Sequence, residues 1–297
     1  NLIIIPDGIL YYLPFELLLT RELTKEEQLS ASDGDCSKLP FFIKDYNISY
    51  LPSATMLSIF DLYNEPPAPK DFLCFADPVF ASESENGISE RGKIDTFYYK
   101  IRSGEDYKSL DRLPATGEEA DSISNLFNSD KTKLFKRADA NEDNLKKEDL
   151  SQYKYIHFAT HGLIDNQKPQ FSKLALSYDL SSEEDGFLEA REIMGLKLNA
   201  DMVVLSACET GLGKEVKGEG MVGMARSFFV AGAKNVVVSL WSVNDESTKQ
   251  LMIEFYKGIQ SGKTKSQALR DAKLNMISGK RYSAPYYWAP FVMFGKN

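Results

Sequence analysis

Two rhythms of apolar residues run along this chain. Short β-branched or aromatic runs occur at 2–5, 42–50 and 71–76, each bounded by turn-forming residues. They predict strands. The first is stopped by Pro6-Asp7-Gly8 and the third by Asp77-Pro78. Between them, Ser53 is suited to cap a helix whose Met56, Leu57, Phe60 and Tyr63 share one face. Thr116 followed by Glu119 has the spacing of a capping box, ahead of Ala120, Ile123, Leu126 and Phe127. The charged stretch 139–152 predicts a surface helix, and the polar stretch 80–112 a long loop, mobile or ordered only with a partner.

The pattern sharpens after residue 153. Strands are predicted at 153–160, 173–178, 202–206, 235–240 and 289–294, and helices at 220–232, 246–260 and 264–278. The run 202–206 is apolar almost without interruption, as in a strand covered on both faces. Strands alternating with helices imply a layered α/β fold with a largely parallel sheet. The 297 residues approach the upper size for a single core.

Composition narrows the function. Hydrophobic residues make up 43% and charged residues 26%, with a net charge of −8. That balance disfavours direct binding to a phosphate backbone. Three cysteines, Cys36, Cys74 and Cys208, form no disulfide framework and fit a reducing, cytoplasmic compartment. No apolar run is long enough to span a bilayer, so no membrane role is expected. The chain opens on a strand-like run without Met or a basic leader, and reads as part of a longer polypeptide.

Two short motifs carry chemistry. His161-Gly162 follows the strand 153–160, and Ser206-Ala207-Cys208-Glu209-Thr210-Gly211 ends the strand 202–206. Ligands of open α/β sheets bind beyond the carboxyl ends of the strands. If these two strands are parallel neighbours, His161 and Cys208 share a rim. An imidazole can take the proton of a thiol and later return it to a leaving amine. Gly162 and Gly211 allow close backbone approach, and the N–H groups of Gly162 and Cys208 are the oxyanion-hole candidates. The His precedes the Cys by 47 positions, similar to the spacing of about 50 in caspases.

Other motifs have plainer readings. His157 lies in mid-strand and reads as a hydrogen-bonded core histidine. Cys36 and Cys74 read as structural. Residues 218–223 match G-x-G-x-x-G, but do not follow directly on a strand, and an acidic residue sits where a pyrophosphate would lie. No metal ligand set and no cofactor site is expected.

Longer segments resemble the CHAT family of caspase-like peptidases, often fused to tetratricopeptide repeats. They include LIIIPDGILYYLPFELL, LPATGEEADSI, YIHFATHG, VVLSACETGLGK, GEGMVGMARSFFVAGAKNVVVSLWSVNDEST and the closing YYWAPFVMFG. The resemblance implies a caspase-like three-layer α/β/α sandwich, with His161 and Cys208 as the catalytic pair of a cysteine endopeptidase. It also implies a degenerate front part, 1–112, a catalytic part, 113–297, and an upstream repeat domain outside this chain.

Substrate preference is less defined. Ser206, two positions before the Cys, would help line the pocket for the residue before the cut. Asp245 either pairs with a substrate Arg or Lys or caps the helix that begins there. Trp241 is a pocket wall or core. The expected partners are a protein substrate and a regulatory protein. Control is expected through the loops 209–219 and 241–246, unset in the isolated chain. A catalytically silent scaffold of the same fold is the alternative.

Overall fold

The computed structural model describes residues 1–62, 65–80, 110, 112–165, 167–178, 182–206, 208–209 and 220–296. Most of the segment 80–112, nearly all of the loop 209–219 and the first two residues of the G-x-G-x-x-G motif lie outside the described residues.

Among the described residues, twelve strands form two sheets. They are β1 (Leu2–Ile4), β2 (Ile48–Tyr50), β3 (Lys70–Pro78), β4 (Thr132–Arg137), β5 (Tyr153–Ala159), β6 (His161–Leu163), β7 (Lys173–Ala175), β8 (Phe187–Glu189), β9 (Met202–Leu205), β10 (Cys208–Glu209), β11 (Asn235–Ser239) and β12 (Phe291–Gly295). The large sheet has the order β1-β2-β12-β11-β9-β5-β3-β4 and the small one β10-β6-β7-β8. In the large sheet only the β11–β12 junction is antiparallel. Strands from before and after residue 112 share it, with β3 between β4 and β5.

The helices are α1 (Lys25–Ser32), α2 (Thr55–Leu62), α3 (Pro114–Ser124), α4 (Glu142–Lys147), α5 (Ala190–Ile193), α6 (Gly220–Ala231), α7 (Asp245–Gln260), α8 (Lys265–Ser278) and α9 (Pro285–Trp288). Alternation along the strands decides which helix covers which face. Phe75, Ile156, Phe158, Val203, Leu205, Val236 and Val238 pack with Met224 and Phe228 of α6, Leu145 of α4 and Ile193 of α5. Phe72, Cys74, Tyr155, Met202, Val204 and Val237 pack with Ile123 of α3, Leu251 and Phe255 of α7, Leu269 and Met276 of α8, and Trp288 of α9. The result is a three-layer α/β/α sandwich.

Four local expectations are revised. Residues 42–44 form a 3-10 turn, and only Ile48–Tyr50 pairs as a strand. The Thr116–Glu119 capping box is absent. Helix α3 starts at Pro114, a residue suited to a first helical position. Thr116 instead accepts from the Asp77 N–H at 3.0 Å and donates to the Leu113 carbonyl at 2.6 Å, while Glu119 turns into the core. In the stretch 139–152, α4 is short and buries Leu145 completely. The final strand starts two residues late, because Pro285–Trp288 is helical.

Candidate active site

Strands β5 and β9 are parallel neighbours, with Phe158 opposite Leu205. The Ser206 N–H donates to the Phe158 carbonyl at 2.9 Å, carrying the pairing one step beyond β9. Both chains then leave the large sheet together. Thr160 is fully buried and its hydroxyl donates to the Ala175 carbonyl, tying the exit of β5 to the small sheet. In the small sheet β6 and β10 are again parallel neighbours, and Cys208 is the Cα partner of His161, as Glu209 is of Gly162. The register of the large sheet continues: three residues beyond Phe158 and Leu205 stand His161 and Cys208.

His161 is 5% exposed. Its imidazole lies against the Phe80 ring, with centroids 5.3 Å apart and planes inclined by 53°. Phe80 belongs to a small apolar core under this sheet, with Leu163, Ala175 and Phe187. Gly162 sits in the middle strand, opposite Leu174 on its other side. Ser206 is 3% exposed, and its hydroxyl oxygen has no hydrogen-bond partner among the described residues.

The cap of α7 differs from expectation. The Asn244 side chain accepts from the N–H groups of Glu246 and Ser247 at 3.1 and 3.3 Å. Asn244 has the extended backbone of a cap, and Asp245 is already the first helical residue. The Asp245 carboxylate is therefore not used as a cap. Burial raises its pKa, the nearby His161 lowers it and Glu119 raises it. Trp241 follows β11 on the same rim, packs against both apolar layers, and donates its indole N–H to the Tyr286 carbonyl at 3.2 Å.

His157 is held as a core residue. It is completely buried, with Nε2 2.8 Å from Glu119 Oε1 and Nδ1 3.2 Å from the Tyr256 hydroxyl. Burial pushes both the Cys74 and the Cys36 thiols above their ordinary pKa, Cys74 by far the more. Gly220 and Gly223 of the glycine-rich motif fall inside α6. One group of potential metal ligands occurs among the described residues, Glu142, Glu184 and Glu192. The Lys146 ammonium contacts all three at 2.7, 2.6 and 2.9 Å, and so supplies a cation there.

Sequence reasoning missed Phe80, and the site-building roles of Asp77 and Glu119. The local signals were Asp77-Pro78, read as a strand stop, and Glu119, read as part of a capping box. None of the three shows its partner in its own neighbourhood of the chain.

The fold is a three-layer sandwich on a largely parallel sheet, with His161 and Cys208 on adjacent strand extensions at one rim. The CHAT domain model matches residues 1–296, and the chain belongs to the CHAT domain family. Tetratricopeptide repeat protein 28 of Mus musculus and of Homo sapiens are each 34% identical over 110 residues, or 37% of this chain. The match spans only 4% of the length of those relatives. Among solved structures, the chain is similar to one in the Saccharomyces cerevisiae separase–securin complex, with a TM-score of 0.46, 14% identity, and coverage of 85% of this chain and 14% of that one. It is also similar to the Arg-specific cysteine proteinase gingipain R, with a TM-score of 0.46, 9% identity, and coverage of 84% and 54%. No helix among the described residues is long and apolar enough to cross a membrane.

Proposed function

We propose that this CHAT domain is a cysteine endopeptidase acting on a protein substrate, with Cys208 as nucleophile and His161 as general acid and base. The observation that carries the reading is the register in which Cys208 and His161 are Cα partners on adjacent parallel strands. Directly paired strands lie about 4.8 Å apart, so the two side chains leave adjacent backbone positions of one sheet. In the proposed reaction His161 takes the thiol proton and the thiolate sulfur attacks the peptide carbonyl carbon. The backbone N–H groups of Gly162 and Cys208 are the proposed donors to the developing oxyanion. His161 then protonates the leaving amine, and water, deprotonated by His161, hydrolyses the thioester.

The substrate pocket is proposed to lie between Ser206, Trp241 and Asp245. Asp245 is not engaged as a cap, so its carboxylate is proposed to meet a substrate Arg or Lys. The Ser206 hydroxyl, without a partner among the described residues, offers a second polar contact. Trp241 would form an apolar wall.

The 5% exposure of His161 favours a closed resting state. We therefore propose that a regulatory protein, or repeats outside this chain, opens the site in the cytoplasm by shifting the population towards a formed pocket. If about 1% of molecules are competent, apparent substrate affinity falls about a hundredfold. The same burial supports the second reading, a silent scaffold that keeps the fold and binds a partner. Mapping new protein N-termini in cells carrying the wild type or Cys208→Ala decides between them. Termini present only with the wild type support the peptidase; identical sets of termini support the scaffold.

A further inference from the structure

Two residues other than glycine have positive φ among those described, Asp77 at 47° and Arg137 at 55°. They occur together. Asp77 lies where the register of β3 against β4 shifts, and Arg137 is the partner of the following Pro78. Left-handed backbone is unfavourable for Arg and less so for Asp, and two such residues side by side persist where the surroundings over-determine them, commonly beside functional sites.

The surroundings here are specific. The Asp77 carboxylate accepts two bonds from Arg112, from Nε at 2.9 Å and from a terminal nitrogen at 2.8 Å. Arg137 adds a third at 3.3 Å. The Asp77 N–H is bound by Thr116. A Cβ added at Gly117 would stand 3.3 Å from the Asp77 Cβ, so α3 packs closely on this corner. Two residues on, the Val79 N–H donates to the Ser177 hydroxyl at 2.8 Å, and that hydroxyl donates to the Arg137 carbonyl at 2.6 Å. Ser177 lies just beyond β7, so this chain of bonds joins the large sheet to the small one. The corner at Asp77 thereby sets the direction of Val79 and Phe80, and Phe80 is the ring that lies on the His161 imidazole.

We propose that Asp77, clasped by Arg112 and Arg137, is a positioning residue that orients His161 through Phe80. A corner needed only to turn the chain would be served by glycine, without strain and without two arginines. The inference rests on the reading of His161 as the general base, but its central observable, the setting of the imidazole, does not require turnover.

The chain has two histidines, so proton NMR at one fixed pH shows two sets of imidazole signals, assigned with His161→Gln. Asp77→Asn keeps the size and tolerates left-handed backbone while removing the charged clasp; Phe80→Leu keeps the apolar volume while removing the ring. Both are expected to move the His161 signals and leave those of His157 in place. Gly232→Ala serves as the control. Gly232 has φ 111° at the opposite end of the sheet, and its added Cβ would stand 2.3 Å from the Leu198 carbonyl oxygen. It should destabilise the fold and leave His161 unchanged. With an active preparation, Asp77→Asn should lower kcat about 10- to 100-fold with little change in KM, the mark of a misaligned base. His161 signals that coincide with the wild type in both variants would overturn the proposal and leave Asp77 a structural residue. Signals that move in a protein whose wild type cleaves nothing would support the positioning role and count against the peptidase.

Discussion

The His157 imidazole and the Glu119 carboxylate meet at 2.8 Å between β5 and α3, with side chains 0% and 1% exposed. Their contact fixes α3 on the sheet, and the Tyr256 hydroxyl brings α7 to the other ring nitrogen. A sheet strand and two helices of the layer covering it are thus joined by two buried hydrogen bonds. Glu119→Ala would leave a buried imidazole nitrogen without its partner, and should lower stability by about 2–4 kcal/mol. Glu119→Gln keeps an acceptor and should cost less. Urea unfolding of the two variants against the wild type measures the difference.

Thiol labelling should separate the three cysteines. Cys36 and Cys74 are buried, and burial holds both thiols above their ordinary pKa. The thiolate is the reactive form, so both should be inert in the folded chain. Iodoacetamide is expected to modify one site, Cys208, in native protein and three in urea. Cys208→Ser should abolish native labelling. Mass spectrometry showing Cys36 or Cys74 modified in folded protein would contradict this.

The Lys146 cluster predicts a pH effect. Burial pushes the Glu142 carboxyl up to about 7 from 4.5; Lys146 partly offsets this and Glu192 adds to it. Between those values the folded chain holds a proton that the unfolded chain has released, so this group's contribution to stability falls as pH rises through that window. Glu142→Gln removes the charge and leaves Lys146 its contacts with Glu184 and Glu192. The variant should match the wild type near pH 4 to 5, and be more stable by roughly 1–3 kcal/mol at pH 8. Thermal unfolding at the two pH values reads the sign.

A buried ion pair ties the N-terminal segment to α8. Lys273, 1% exposed, contacts Glu16 at 3.0 Å, and the Tyr50 hydroxyl donates to the other Glu16 oxygen. Glu16→Ala leaves the ammonium buried alone, which should cost about 3–5 kcal/mol. Lys273→Met together with Glu16→Gln removes both charges and keeps an acceptor for Tyr50. That double variant should recover most of the loss in denaturant titrations. If it is as unstable as Glu16→Ala alone, the cost does not come from the unpaired charge.

Residue patterns alone determined much of the layer structure. The apolar run at 202–206 and the 3.6-residue periodicity of 246–260 and 264–278 are local records of strand and helix, because side chains alternate with fixed periods in each. The ends of β5 and β9 were legible for the same reason, which is how residues 161 and 208 could be singled out. Their pairing was not legible. It depends on β5 and β9 being neighbours in register, a choice made by packing among eight strands. The partners of polar side chains were likewise decided by tertiary structure. Glu119 has the local spacing of a capping box with Thr116, yet a histidine 38 residues away claims it. Asp245 is a suitable cap, yet Asn244 lies one step earlier, where the backbone is still extended. Phe80 meets His161, 81 residues further along, and Asp77 sits in a left-handed corner bonded to arginines 35 and 60 residues further along. Periodicity depends on the nearest few residues and survives in the sequence; which buried donor meets which acceptor depends on the whole fold.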